Sequence, residues 1–239
     1  MPTLHCSSAD PLRFQKPAQR IFLPDRTVHV WKFPVTGMDR SLLSENEIVY
    51  TERFRSDADK NRFSTGRQML RLLSSKYLSV PPEKIIVSGE RHQKPVIGNS
   101  TKSPFHFNLS HSGEWVLIAF ADSELGVDLE EINRPFSFGD IVHDQFREPE
   151  QNFVFNAPDP ANAFYVLWTR KEALLKAWGL GLKIDLRAIP SMDGSHTLSA
   201  ENNSWKLNSF YIEDHYQAAI AFSDQIQSVS YLDGSGLMA

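Results

Sequence analysis

The sequence predicts an α+β fold made of two pseudo-symmetric α/β halves, residues 1–124 and 125–239. Short segments with strand-like patterns surround two long segments in which apolar residues recur with helical spacing. A five-residue motif is also repeated, since Ile118–Asp122 (IAFAD) returns as Ile220–Asp224 (IAFSD), 102 residues further along the chain. The same offset superimposes the two long helical segments. Duplication of one α+β half explains both observations, and a cleft between two packed halves is a common ligand site.

The first half is expected to start with a loosely tethered arm, because residues 1–20 are rich in Pro, Ser and Gln. A helix is predicted at 40–54, with Ser41 or Ser44 as its N-cap. The apolar face of a second helix, at 57–78, ends before two consecutive prolines. Strands are predicted at 27–33, 85–88, 105–109 and 115–120, with SHSG (110–113) as the turn between the last two.

The second half opens with a predicted strand at 125–130. Residues 134–160 contain four prolines, so we expect loops and a short helix there. The second long helix, at 161–178, ends at Gly179. Closing strands are predicted at 207–212, 217–222 and 228–232.

The composition excludes several classes of protein. The 239 residues include 25 basic and 29 acidic side chains, a net charge of −4, so an anionic ligand must be held by a local cluster of cations and nucleic-acid binding is disfavoured. Cys6 is the single cysteine, which excludes an internal disulfide framework and a cysteine-based zinc site and favours the reducing cytoplasm. We see no signal peptide and no run of about 18 apolar residues that would span a membrane.

The first motif whose residues suggest a functional site is GVDLE, at 126–130. On a strand, Asp128 and Glu130 project to the same face while the residues between them point the other way. Two adjacent carboxylates repel each other unless a cation lies between them, and Mg²⁺ prefers oxygen ligands. The ordinary alternative is a solvated strand face with two unremarkable acids.

The second motif is WTRKEALLK, at 168–176. Glu172 and Lys176 lie one helical turn apart, so Glu172 is a candidate third carboxylate, with Lys171 and Lys176 placed to meet phosphates. The ordinary alternative is an exposed ion pair worth about 0.3–0.5 kcal/mol.

The third motif is FNLSHSG, at 107–113. Its two hydroxyls and the imidazole of His111 can donate hydrogen bonds to a phosphate oxygen. A serine nucleophile is disfavoured because the G-x-S-x-G elbow is absent, and a plain polar hairpin turn is the alternative. P-loop, G-x-G-x-x-G and H-E-x-x-H patterns are absent as well, which removes the commonest NTPase, dehydrogenase and zinc-hydrolase interpretations.

In this order and at this spacing, the three motifs resemble one family, the phosphopantetheinyl transferases of the Sfp type, the longer, pseudo-dimeric class. The resemblance covers about residues 45–235. It extends to the Lys94-Pro95 step and to the first long helix, which carries Arg62, Gly66, Arg67 and Arg71. Each motif alone is weak, but their combination is specific. The resemblance implies two similar halves with coenzyme A bound between them.

The implied activity is Mg²⁺-dependent transfer of the 4′-phosphopantetheine arm of coenzyme A to a serine of an apo acyl or peptidyl carrier protein, which releases adenosine 3′,5′-bisphosphate. Mn²⁺ is the expected substitute for Mg²⁺. By resemblance, Asp128, Glu130 and Glu172 are metal ligands, and Glu172 is also the general base. Ser110, His111, Lys94 and Lys176 match positions that contact phosphates of coenzyme A, and we count Asp128, Lys176 and His111 with Glu172 as catalytic.

One position departs from the family pattern. Members often carry a basic residue four positions before the phenylalanine at Phe54, and Tyr50 stands here. The 3′-phosphate is then expected to meet Arg53, Arg62 or Arg91. The segment after D-x-E, about 133–156 with Phe136, Phe138 and Phe146, is expected to approach the carrier protein.

Two other functions remain as alternatives. A metal-dependent phosphodiesterase acting on a nucleotide or coenzyme A would use the same carboxylates to activate water. A non-catalytic module that binds coenzyme A or docks a carrier would tolerate loss of Glu172. We expect a cytoplasmic monomer, because a fused duplicate needs no second chain to complete its cleft, and no partnership with nucleic acid or membrane.

Overall fold

The computed structural model describes residues 1–8, 12–37, 39–88, 96–98, 105–179, 184–198 and 203–238. The chain divides into two compact units. Unit 1 comprises Met1–Leu12 and Ser123–Gln227, and unit 2 comprises Arg13–Asp122 and Ser228–Ala239. The first and last twelve residues therefore each belong with the opposite part of the chain. No helix in the described ranges is both long and apolar enough to cross a membrane.

Unit 2 consists of a four-stranded sheet covered by a long helix. The strand order is β11-β2-β6-β5, and helix α2 packs against β6 and β5. Aromatic and aliphatic side chains from both layers, including Trp31, Phe33, Leu70 and Phe120, form the core. The elements of unit 2 are β2 (Thr27–Pro34), α1 (Glu45–Thr51), α2 (Asp57–Leu78), β3 (Val87–Ser88), β4 (Val96–Ile97), β5 (His106–Ser112), β6 (Trp115–Ala121) and β11 (Ser228–Asp233).

Unit 1 has a five-stranded sheet with the order β7-β10-β9-β1-β8. Helix α5 lies across β7, β10 and β9, and two short helices precede it. The elements of unit 1 are β1 (Thr3–Ser8), β7 (Leu125–Glu131), α3 (Gly139–Gln145), α4 (Glu148–Phe155), α5 (Pro160–Trp178), β8 (Gly194–Thr197), β9 (Trp205–Ile212) and β10 (Tyr216–Ser223).

Local sequence signals set the limits of the helices. The Asp159 side chain caps α5 by accepting a hydrogen bond from Asn162 N, Pro160 occupies the first turn, and Gly179 ends the helix with φ at 68°. Ser44, one of two predicted caps, forms a capping box with Glu47 at the start of α1, although that helix is shorter than expected. The cap at Asp159 and the glycine at Gly179 thus set the two ends of α5.

The predicted α+β class with two similar halves is confirmed. The 102-residue offset places β6 on β10 and α2 on α5, and each unit contains an antiparallel hairpin, β5-β6 or β9-β10, beneath its long helix. Strands β7 and β11 are also related by this offset. Strand β7, which follows the first repeat in the sequence, pairs with β10 in unit 1, and β11, which follows the second repeat, pairs with β2 in unit 2.

Two local predictions were wrong. The expected N-terminal arm contains strand β1, which pairs with β8 and β9 and buries Leu4 and Cys6. Its alternation is only six residues long and its outward residues are small or polar, so it was hard to detect. Only the last residue of the SHSG segment lies in the turn, because Ser110, His111 and Ser112 still pair with β6 and the chain reverses at Gly113, where φ is 52°.

Candidate active site

Strand β7 presents Gly126, Asp128 and Glu130 toward helix α5. The Lys176 Nζ on α5 donates to Asp128 Oδ1 at 2.7 Å and to the carbonyl oxygen of Val127 at 3.2 Å. Because side chains alternate along a strand, Glu130 lies on the same face as Asp128. Both predicted carboxylates of β7 therefore face the helix that carries the third.

Gly126 brings the main chains of β7 and α5 into contact. A Cβ atom at this position would lie 2.1 Å from the carbonyl oxygen of Ala173 and 2.3 Å from the amide nitrogen of Ala177. Those are backbone atoms of a helix, so they cannot turn aside as a flexible side chain would. The glycine thereby sets the distance between Asp128 and the side chains of α5.

Glu172 lies one turn before Lys176 on α5 and is half-buried. Its Oε1 is buried and has no hydrogen-bond partner in the part of the chain that the structure describes. Burial raises the pKa of Glu172, the nearby charge of Asp128 raises it further, and Lys176 opposes both. Such a carboxylate can accept a proton or a cation.

The carboxylates of Asp128 and Glu172 are chemically suited to bind a divalent cation. Asp128 and Glu172 are close enough to interact electrostatically, and the buried Glu172 Oε1 has no donor among the described residues. Carboxylate oxygens are the ligands that Mg²⁺ and Mn²⁺ take. Within the described ranges, however, no three His, Cys, Asp or Glu side chains form a group that could hold a metal. The predicted ligand set of Asp128, Glu130 and Glu172 therefore stays a prediction.

Lys171 does not meet phosphates, contrary to expectation. Its side chain is fully buried, and Nζ donates to both carboxylate oxygens of Glu150 and to the carbonyl oxygens of Leu186 and Ile189. Burial lowers the pKa of Lys171, and the Glu150 carboxylate counteracts that effect. Lys171 thus joins α5 to α4 inside the unit. Sequence reasoning missed Glu150, which lies 21 residues away and outside every motif.

Three of the predicted phosphate-binding residues of unit 2, Ser110, His111 and Arg62, lie at the β5-β6 hairpin. Ser110 is buried near the end of β5, and the next residue, His111, is exposed. Arg62 on α2 donates to the carbonyl oxygen of Gly113 at 3.2 Å and to Asp59. The hydrogen bond from Arg62 lowers the pKa of Asp59, with a smaller contribution from the charge of His111. Arg62 and His111 are therefore neighbours, although Arg62 already has an acidic partner.

For the three other basic residues predicted to contact phosphates, the structure gives only exposure or no description. Arg53 is exposed just after α1. Arg91 and Lys94 lie outside the described residues.

The aromatic residues expected to approach a carrier differ in exposure. The side chain of Phe136 is 42% exposed, whereas that of Phe146 is fully buried. Phe138 stacks on Phe164, with 4.9 Å between the two ring centroids. The prediction that Phe146 lies at the carrier surface was wrong, because this side chain belongs to the core of unit 1. Phe153, an additional exposed aromatic residue, lies on α4.

Two family models match consecutive parts of the chain. Residues 124–222 match the model described as the 4′-phosphopantetheinyl transferase superfamily. Residues 36–123 match the model described as 4′-phosphopantetheinyl transferase, N-terminal. The boundary between the two matches lies immediately before β7.

Curated relatives agree with these matches. The chain is 32% identical over 188 residues to the 4′-phosphopantetheinyl transferase psf-1 of Bacillus pumilus, covering 76% of this chain and 79% of the relative. It is 29% identical over 220 residues to the 4′-phosphopantetheinyl transferase HetI of a Nostoc species, covering 86% and 91%. The 4′-phosphopantetheinyl transferase Sfp of Bacillus subtilis is 27% identical over 203 residues, covering 80% and 89%.

Proposed function

The chain belongs to the 4′-phosphopantetheinyl transferase superfamily, and we propose that it transfers the 4′-phosphopantetheine arm of coenzyme A to a carrier-protein serine with Glu172 as the general base. The observation that carries this role is the state of the Glu172 carboxylate. It is half-buried, one oxygen lacks a partner among the described residues, and its pKa is raised. A base with a raised pKa accepts a proton more readily at neutral pH than an exposed glutamate does.

The reaction requires one proton transfer and one phosphoryl transfer. A serine hydroxyl is a weak nucleophile, so Glu172 takes its proton as the serine oxygen bonds to the phosphorus that carries the pantetheine arm. The bond from that phosphorus to the bridging oxygen breaks, and adenosine 3′,5′-bisphosphate leaves with the bridging oxygen. The serine then carries the phosphopantetheine as a phosphodiester, which balances the atoms of both substrates.

Asp128, Glu130 and Glu172 would hold Mg²⁺, or Mn²⁺ in its place. When bound, the cation supplies positive charge that offsets the negative charge of the diphosphate. The side chains of β7 and α5 supply the oxygen ligands, and the contact between Gly126 and α5 supports them at a fixed separation.

Lys176 is proposed to contact a phosphate of coenzyme A and to keep the Glu172 carboxylate ionised. Its ammonium lowers the pKa of Glu172 and pairs with Asp128, so it already stabilises negative charge at this place. Ser110, His111 and Arg62 are further candidate contacts for phosphates of coenzyme A, proposed from the family resemblance. Arg53, Arg91 and Lys94 are the remaining candidates, proposed on sequence grounds.

The partner is proposed to be an apo acyl or peptidyl carrier protein. A net charge of −4 disfavours nucleic acid as a partner, and a single, buried cysteine favours a cytoplasmic setting. The duplication within one chain favours a monomer. The phosphodiesterase alternative has no support among the relatives, which are named as transferases.

The test incubates the protein with coenzyme A, Mg²⁺ and a panel of apo acyl and peptidyl carrier domains, followed by intact-mass spectrometry. We expect a gain of one phosphopantetheine arm on the carrier and one adenosine 3′,5′-bisphosphate per modified serine. A carrier with its serine changed to alanine is the matched control. Breakdown of coenzyme A at the same rate without any carrier would instead support hydrolysis.

A further inference from the structure

Gln217 on β10 lies directly opposite Glu130 on β7. The two residues are register partners in the antiparallel pair, as Ala219 is for Asp128. The Cβ atoms of such partners are about 4.5–5.5 Å apart, and their side chains share one face of the sheet. That face packs against α5, as the contact between Lys176 and Asp128 shows. Gln217 therefore lies beside the predicted metal ligands.

The carboxamide of Gln217 has a fixed orientation. The side chain is fully buried, and Nε2 donates to the carbonyl oxygens of Ala218 at 3.0 Å and Phe210 at 3.3 Å. These two bonds identify which end of the amide is the nitrogen. The oxygen, Oε1, is buried and has no hydrogen-bond partner in the part of the chain that the structure describes. A buried acceptor of this kind normally has a donor.

The side chains on either side of Gln217 in the sheet do not provide that donor. Glu130, when ionised, is itself an acceptor. On the other side, Gln217 is the register partner of Tyr211, whose hydroxyl donates to Asn162 Oδ1 at 3.0 Å. Neither neighbouring side chain in the sheet thus donates to Gln217 Oε1, and a water molecule can supply the missing donor.

We propose that Gln217 is a positioning residue of the divalent-cation site, an inference that rests on the proposed function. Its Oε1 accepts a hydrogen bond from a water molecule in the hydration shell of the cation held by Asp128 and Glu130. Mg²⁺ usually keeps several of its water molecules when it binds protein carboxylates. An outer acceptor orients such a water molecule and makes the whole site more rigid.

The experiment measures Mn²⁺ affinity without coenzyme A or carrier, by electron paramagnetic resonance of the free ion. Gln217→Met removes the acceptor at similar volume, Gln217→Asn withdraws it by one methylene, and Gln217→Glu retains an oxygen there. Gln68→Met is the matched control, because Gln68 is a buried glutamine in unit 2 whose Nε2 donates to the carbonyl oxygen of Asp39. Circular dichroism establishes that each variant is folded.

We expect Gln217→Met and Gln217→Asn to bind Mn²⁺ about 10-fold or more weakly. Gln217→Glu is expected to bind at least as tightly as the wild type, and Gln68→Met to match it. If Gln217→Met does not fold, the comparison of Gln217→Asn with Gln217→Glu gives the same contrast.

The inference is overturned if both acceptor-removing variants bind Mn²⁺ within about 2-fold of the wild type while Asp128→Asn loses binding. It is also overturned if the wild type binds no Mn²⁺ at all. Neither result depends on phosphopantetheine transfer, which the carrier assay measures separately. Failure of the inference and failure of the proposed function are therefore distinguishable.

Discussion

Lys176 Nζ lies 2.7 Å from Asp128 Oδ1, which joins the helix carrying Glu172 to the strand carrying Asp128. The Lys176 ammonium is also one of the charges that act on Glu172, since it lowers a pKa that burial and Asp128 raise. One cation thus balances two carboxylates from segments more than forty residues apart.

Replacing Glu172 with glutamine is expected to reduce turnover by about 10²–10⁴, because the proposed general base is lost while the shape of the side chain is kept. The same change is expected to raise the melting temperature at neutral pH, since it removes a charge that is desolvated and repelled by Asp128. Glu83→Gln, at an exposed position between α2 and β3, is the control and should change neither quantity. Wild-type turnover in Glu172→Gln would exclude this residue as the base.

The rate should decline on the acid side at a pH above the ordinary titration range of a glutamate. The folded-state pKa of Glu172 is raised, so the carboxylate takes up its proton early as the pH falls and can no longer act as a base. The stability effect has a definite sign. The contribution of Glu172 is fully present below its unfolded-state pKa and is lost as the pH rises through the folded-state pKa.

Rates measured from pH 4 to 9 test the acid limb of the rate profile, that is, the decline of the rate as the pH falls. Melting temperatures of the wild type and Glu172→Gln over the same range test how stability depends on the protonation of Glu172. The melting temperature of the variant should exceed that of the wild type by a margin that grows with pH. A flat rate profile down to pH 4 would contradict carboxylate catalysis.

Lys176→Met is expected to shift the acid limb of the rate profile to higher pH, because the cation that lowers the pKa of Glu172 is removed. The Michaelis constant for coenzyme A should also rise if the ammonium binds a phosphate. Lys176→Arg keeps the charge and should restore the position of the acid limb. An unchanged acid limb in Lys176→Met would show that the two side chains do not interact in the working enzyme.

Gly126→Ala is expected to reduce turnover strongly and to lower the melting temperature. The new methyl group would lie 2.1 Å from the carbonyl oxygen of Ala173, so α5 must move away from β7. Gly37→Ala is the matched control, since a Cβ there would meet no atom of the described residues within 4 Å. Activity and melting temperature are measured for both. Equal values for the two variants would show that the close contact does not matter.

The buried pair of Lys171 and Glu150 is expected to stabilise unit 1 without taking part in the reaction. Lys171→Met leaves a carboxylate buried without its cation and should cost about 3–5 kcal/mol. Urea unfolding, followed by circular dichroism, measures the loss. Arg40→Met, which breaks an exposed pair with Glu52, should cost about 0–1 kcal/mol.

The double variant Lys171→Met/Glu150→Met should recover part of the stability lost in Lys171→Met. Removing both charges eliminates the uncompensated carboxylate, although Ser191 then loses its acceptor. A double variant less stable than Lys171→Met would contradict the view that the unpaired charge is the main cost.

Local sequence patterns were sufficient to predict the long helices and most strands. Helix α2 has the predicted bounds, 57–78, because its caps and the prolines after it lie within a few residues of its ends. The strand carrying Asp128 was predicted with the right face, since alternation is a property of neighbouring residues. Strand β1 was missed because its stability depends on pairing with strands about 190 residues further along the chain.

The sequence by itself determined the family, the identity of the acidic residues and the side of β7 that carries them, because these follow from short motifs and periodicity. The tertiary structure decided which acidic partner each lysine of the second motif has and how deeply each is buried. Lys171 and Lys176 lie in one motif, yet one is buried against Glu150 and the other pairs with Asp128. The physical reason is that burial and charge pairing depend on residues distant in sequence, which no pattern within a single segment contains.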